Sequence, residues 1–135
     1  MKKLRITHLI TLVAVCVALA GATADAATLS DKDKQFLAGY EKAHTALVAD
    51  DLSGVKAAAG DLGTEGAELS KSTSLKEARS AFEKLSAYAK TAAVGQSGYH
   101  VAHCPMLNKD WVQTSTTIAN PYGGKGMISC GEIQK

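Results

Sequence analysis

Three stretches between residues 30 and 94 repeat apolar residues at spacings of three and four, and that period admits few folds. The first places Phe36, Leu37, Tyr40, His44, Leu47 and Val48 together on one helical face. Ser30 can cap it, and Asp31 and Asp33 sit where the helix dipole favours negative charge. The second, over residues 52–69, presents Leu52, Val55, Ala59, Leu62 and Leu69. Gly60, Gly63 and Gly66 weaken it, each by roughly 1 kcal/mol relative to Ala. The third follows a capping box, Ser74-Leu75-Lys76-Glu77, with a stripe of Leu75, Ala78, Phe82, Leu85, Ala89 and Ala92. Short links between amphipathic helices predict a mainly α fold, a small antiparallel bundle of three or four helices.

The period stops at Gly95 and Gly98. Residues 99–135 read as an irregular tail with a short β-hairpin-like pair, one strand over 99–104 ended by Pro105 and another over 127–133. Between them lie Asn108-Lys109-Asp110, Asn120-Pro121-Tyr122 and the glycines around Lys125, all turn chemistry.

The other end of the chain reads as a secretory leader over residues 1–26. Lys2, Lys3 and Arg5 precede an apolar run at 9–20, and two A-x-A cleavage sites follow it, at 22–24 and 24–26. The run is short for a membrane span. The expected organisation is thus a leader at 1–26, a bundle body at 27–98 and a tail at 99–135 packed on the same domain. Without the leader the chain carries 12 basic and 12 acidic residues. Formal neutrality excludes a protein built mainly to bind nucleic acid, and no membrane attachment is expected after cleavage. Export to the periplasm is the expected destination.

The chemistry is concentrated in the tail. Cys104-Pro105-Met106 and Met127-Ile128-Ser129-Cys130 each offer one thiol and one thioether. Antiparallel pairing of the two predicted strands would gather Cys104, Met106, Met127 and Cys130 at one end of the bundle. Thiolate and thioether donors select soft ions, Cu(I) and by extension Ag(I). Zn(II) prefers more thiolates or imidazoles. The competing reading is a Cys104–Cys130 disulfide with no metal, closing a loop worth roughly 3–4 kcal/mol, with both methionines as packing residues. On spacing alone the disulfide stands ahead, and a labile pair can serve both roles.

His103 and His44 are weaker ligand candidates. His103 adjoins Cys104, but neighbours in a strand point to opposite faces. His44 lies on an apolar stripe, where a hydrogen-bonded core histidine is expected. The same alternation disfavours a Cys104–His103 nucleophile, and neither C-x-x-C nor a phosphate-binding glycine motif is present. No enzyme is expected.

The order H-C-P-M, W-V-Q, I-A-N-P-Y and M-I-S-C-G-E in the tail, with A-L-V-A-D-D-L at 46–52, resembles a bacterial periplasmic family of unknown function. Similar modules stand at the C-terminus of membrane-fusion adaptors of heavy-metal efflux systems. The resemblance rests on Cys104, Pro105, Met106, Trp111, Asn120, Pro121, Tyr122, Met127, Cys130 and Gly131. It implies a helical bundle, periplasmic placement, copper or silver as cargo and an efflux component as partner. One departure is Leu107, where short heavy-metal modules with Cys-Pro-Met often carry His. The chain holds none of the long hairpin or barrel segments of a full adaptor, so a free module that buffers or delivers metal is the expected role.

Overall fold

The computed structural model describes residues 28–135, so the leader expected at 1–26 lies outside the described residues. Four α-helices, α1 (Asp31–Val48), α2 (Leu52–Asp61), α3 (Ala67–Lys71) and α4 (Leu75–Ala92), precede three short strands, β1 (His100–Cys104), β2 (Lys109–Gln113) and β3 (Glu132–Ile133). This is the mainly α fold with a small β tail that the periodicity predicts.

The caps form as the sequence requires. Ser30 accepts from the Asp33 amide at 3.1 Å, and Asp51 opens α2 by accepting from Gly54 at 2.9 Å. Ser74 accepts from Glu77 at 3.2 Å, while the Glu77 carboxylate reaches back to the Thr73 amide at 2.8 Å, one residue before the cap. The core is where the stripes place it: Phe36, Leu37, Tyr40, Leu47, Phe82 and Leu85 are buried, and Tyr40 stacks on Phe82 with centroids 4.5 Å apart.

The second predicted helix is interrupted. After Asp61 the chain turns through Gly63, at φ +60°, into a 3-10 turn (Gly63–Gly66), and helix resumes only at Ala67. Gly66 is a necessity of packing more than a propensity cost. A Cβ there would lie 2.1 Å from the Ala59 carbonyl oxygen, so only glycine lets the chain fold back so closely.

The tail also differs from expectation. The pairing predicted between 99–104 and 127–133 survives only at Ala102↔Ile133 and His103↔Glu132, and Lys125–Met127 is a 3-10 turn. The principal partner of β1 is β2, in register from His100↔Gln113 to Cys104↔Lys109, giving the antiparallel order β2-β1-β3. Its signal was present: Trp111 and Val112 suit a strand, and Pro105 to Asn108 supply a four-residue turn that closes with Asn108 at φ +50°.

Strand β2 is an edge, and hydroxyl groups cover it. The Val112 amide donates to Tyr40 Oη at 3.1 Å, and the Asp110 carbonyl accepts from Tyr122 Oη at 3.1 Å. Ser86 Oγ, on α4, lies 2.7 Å from Tyr40 Oη and 2.8 Å from Tyr122 Oη. Each hydroxyl has one proton, which fixes the direction. Tyr122 spends its proton on Asp110, so Ser86 donates to Tyr122 and Tyr40 donates to Ser86. The backbone groups of an edge strand are thereby satisfied by a tyrosine of α1 and a tyrosine of the tail, joined through Ser86 of α4.

Candidate functional site

Cys104 ends β1 on the face that carries Ala102, opposite Trp111 on β2; all three are wholly buried. Cys130 approaches from the loop before β3 and is only partly buried. Their sulfurs stand 2.7 Å apart and are not joined by a disulfide. Two of the sequence candidates, 26 positions apart, are thus in contact.

The hairpin turn after Cys104 curls its amides back over the sulfurs. The N–H groups of Met106 and Leu107 point at Cys104 Sγ, and that of Met106 also reaches Cys130. Burial pushes the Cys104 thiol up, but hydrogen bonds from the Cys130 thiol, these two amides and the Asn120 side chain together outweigh it and hold Cys104 below its ordinary value. Cys130 is pushed up, first by the hydrogen bond to Cys104 and then by burial. The shifts run in opposite directions, so Cys104 is the easier of the two thiols to ionise, and the thiolate is the form that meets a soft electrophile or metal ion.

Asn120 organises the Cys130 side of the site. Wholly buried, it donates through Nδ2 to the Cys130 carbonyl at 2.9 Å and accepts through Oδ1 from the Tyr122 amide at 2.8 Å. Its own amide donates to the Ile128 carbonyl at 2.8 Å. Gly131 then passes beneath Trp111 at φ +146°.

The thioethers are placed differently from the thiols. Met106 contributes its amide to the sulfurs, while its side chain is 78% exposed on the turn. Met127 is half-buried against the core and alongside Gly123, and its carbonyl accepts from the Cys130 amide at 2.9 Å. Among the described residues, no group of three or more His, Cys, Asp or Glu side chains is arranged to hold a metal ion.

His103 lies on the opposite face of β1 from Cys104. Its Nδ1 is 2.7 Å from Asp110 across the ladder, and Lys90 holds the other Asp110 oxygen at 2.6 Å. Lys90 first, then burial working against it and His103 with it, leave Asp110 below the usual carboxylate range.

His44 is a core histidine whose Nε2 donates to the Ala119 carbonyl at 2.7 Å. It ties α1 to the residue before Asn120. Burial holds its pKa below the ordinary 6.5, so the unfolded chain binds the proton more readily than the folded one. Stability from this group is full above about pH 6.5 and falls as pH drops through the folded value, with a slope limited to one proton, about 1.4 kcal/mol per pH unit. Urea unfolding of wild type and His44→Gln between about pH 7.5 and pH 5 checks this. The wild-type decline is expected to be steeper, and equal slopes would reject it.

Arg79 is the anchoring residue that periodicity misses. From α4 it donates through Nε to the Pro121 carbonyl at 2.9 Å, and its Nη2 reaches the Leu47 carbonyl at 3.4 Å and pairs with Asp50. One guanidinium thus joins the end of α1, the α1–α2 turn at Asp50 (φ +57°) and the tail. A charged residue beside an apolar stripe, one position from Ala78 and three from Phe82, is the only sequence mark it leaves.

The chain matches no protein-family model, no curated protein and no solved structure.

Proposed function

We propose that this protein binds a soft monovalent metal ion, Cu(I) or Ag(I), through Cys104 and Cys130, and buffers or delivers it in the periplasm alongside a metal-efflux system. The observation that carries the reading is the contact between the two sulfurs under the Met106 and Leu107 amides. Thiolate charge and softness are the properties such ions select, and the amides supply the outer hydrogen bonds that thiolate ligands need. Met127 and the exposed Met106 would tune or complete the coordination. With no imidazole or carboxylate cluster around the pair among the described residues, Zn(II) should compete poorly.

A competition titration against a Cu(I) chelator under reducing conditions tests this. Cys130→Ser is expected to weaken binding by about a hundredfold or more, because loss of an outer-shell partner alone costs roughly 10–100-fold. Met127→Leu should weaken it less and leave the fold intact, since the swap nearly conserves volume. A wild type that binds no more tightly than the Cys104→Ser/Cys130→Ser protein would reject the metal reading.

The same short contact favours a second reading, a disulfide-stapled interaction module without metal. On that reading the purified protein holds no free thiols, and the double substitution lowers stability by about 2–4 kcal/mol while changing no metal affinity.

A further inference from the structure

We propose that Cys104 and Cys130 form a thiol–disulfide exchange site, in which Cys130 meets an external small-molecule disulfide and Cys104 resolves the mixed disulfide. Two observations assign the order. Cys104 is wholly buried behind β1 and Trp111, whereas Cys130 is open on one side. Their sulfurs are already in contact at 2.7 Å, so a bond between them requires no large movement. Exchange demands that the attacking sulfur line up with the disulfide it attacks, and only Cys130 offers that access. The exposed side of the hairpin turn, at Met106, forms the adjoining surface.

Cys130 gives its proton to solvent while its sulfur bonds to one sulfur of the incoming disulfide. The second sulfur leaves as a thiolate, which solvent protonates. Cys104 then gives its proton to solvent, bonds to Cys130 Sγ and displaces the remaining small thiolate, which solvent protonates in turn. The protein pair loses two electrons, and the external disulfide is reduced to two thiols.

This chemistry does not depend on metal binding, although it would govern it, since a closed disulfide has no thiolate to offer an ion. Reduced protein is mixed with oxidised glutathione under anaerobic, metal-free conditions, quenched with acid at intervals and mapped by mass spectrometry. Wild type should release two thiols per chain and end as a Cys104–Cys130 disulfide, with an early glutathione adduct on Cys130. Cys104→Ser should accumulate that adduct, and Cys130→Ser should react about tenfold more slowly or less, since a buried thiol is inert to external reagents. Because Cys104→Ser alters the core, the acid-quenched wild type supplies the assignment independently of that variant. An early adduct on Cys104, or Cys130→Ser reacting as fast as wild type, overturns the proposal. Formation of the adduct and disulfide in a chain that fails the Cu(I) competition would retire the metal reading and leave this one standing. Cu(I) binding without any glutathione adduct would do the reverse.

Discussion

Gly131→Ala is expected to destabilise the protein by about 2–6 kcal/mol, the combined scale of a backbone conformation that only glycine adopts easily and of an overpacked contact. The φ of +146° penalises any side chain, and a Cβ at this position would stand 2.7 Å from Trp111 Cη2 and 3.1 Å from the His103 carbonyl oxygen. Both neighbours are fixed, Trp111 by complete burial and His103 by the ladder. The chain can yield only by lifting residues 130–131 off the sheet, which parts Cys130 from Cys104. Chemical denaturation should show the loss, and a thiol reagent should label Cys130 faster. Gly126→Ala is the control, since nothing lies within 4 Å of a Cβ there. Trp111→Phe removes the atom that clashes, so the two substitutions should be coupled by about 0.5–3 kcal/mol in a double-mutant cycle. Full additivity would mean that the Trp111 contact carries none of the effect, leaving it to backbone strain and the His103 carbonyl.

Removing the tryptophan itself should cost about 3–5 kcal/mol, as Trp111→Ala leaves a cavity under the sheet that the surrounding backbone cannot fill. More than volume is lost. Trp111 Nε1 donates to Gln113 Oε1 at 2.8 Å, and that oxygen also accepts from the Ala119 amide at 3.2 Å. The Gln113 amide in turn donates to the Ser115 carbonyl at 2.6 Å and the Thr117 carbonyl at 2.9 Å. The indole therefore steadies the side chain around which the 115–119 loop is wrapped. Trp111→Phe keeps most of the apolar volume but removes the N–H, and should cost clearly less than Trp111→Ala. Thermal melts of the two variants separate packing from hydrogen bonding. A loss under about 1 kcal/mol for Trp111→Ala would show that the tail holds to the body without it.

The helical body was legible because its information is local. Ser30, Ser74 and Glu77 act within four residues of themselves, and the stripes through Phe36–Leu47 and Ala78–Ala89 recur at the helical period whatever they pack against. Even there the break after Asp61 was hidden, because Gly66 reads locally as a weak helix residue and its true constraint is the Ala59 carbonyl. The tail gave up its chemistry but not its pairing. Residue type marked Cys104 and Cys130 as soft nucleophilic sulfurs, and strand alternation separated His103 from them. The partner of β1, however, is decided by the helices, which accept β2 as the edge they cover.

By itself, then, the sequence determined where α1 and α4 lie, which of their faces are apolar, and which side chains bring sulfur into the tail. Tertiary structure alone decided that Ser86 links two tyrosines to a strand edge, that Arg79 and Asp50 tie the tail to the body, and that the amides of Met106 and Leu107 point at one of the two sulfurs. The physical reason is range. Propensity, capping and periodicity are set by neighbours a few positions away, whereas these contacts join groups up to 46 positions apart in a Ser, an Arg and two main-chain amides, whose residue types carry no mark of their partner. What makes such groups specific is the low-dielectric interior that leaves each of them a single place to be satisfied, and that interior exists only once the chain has folded.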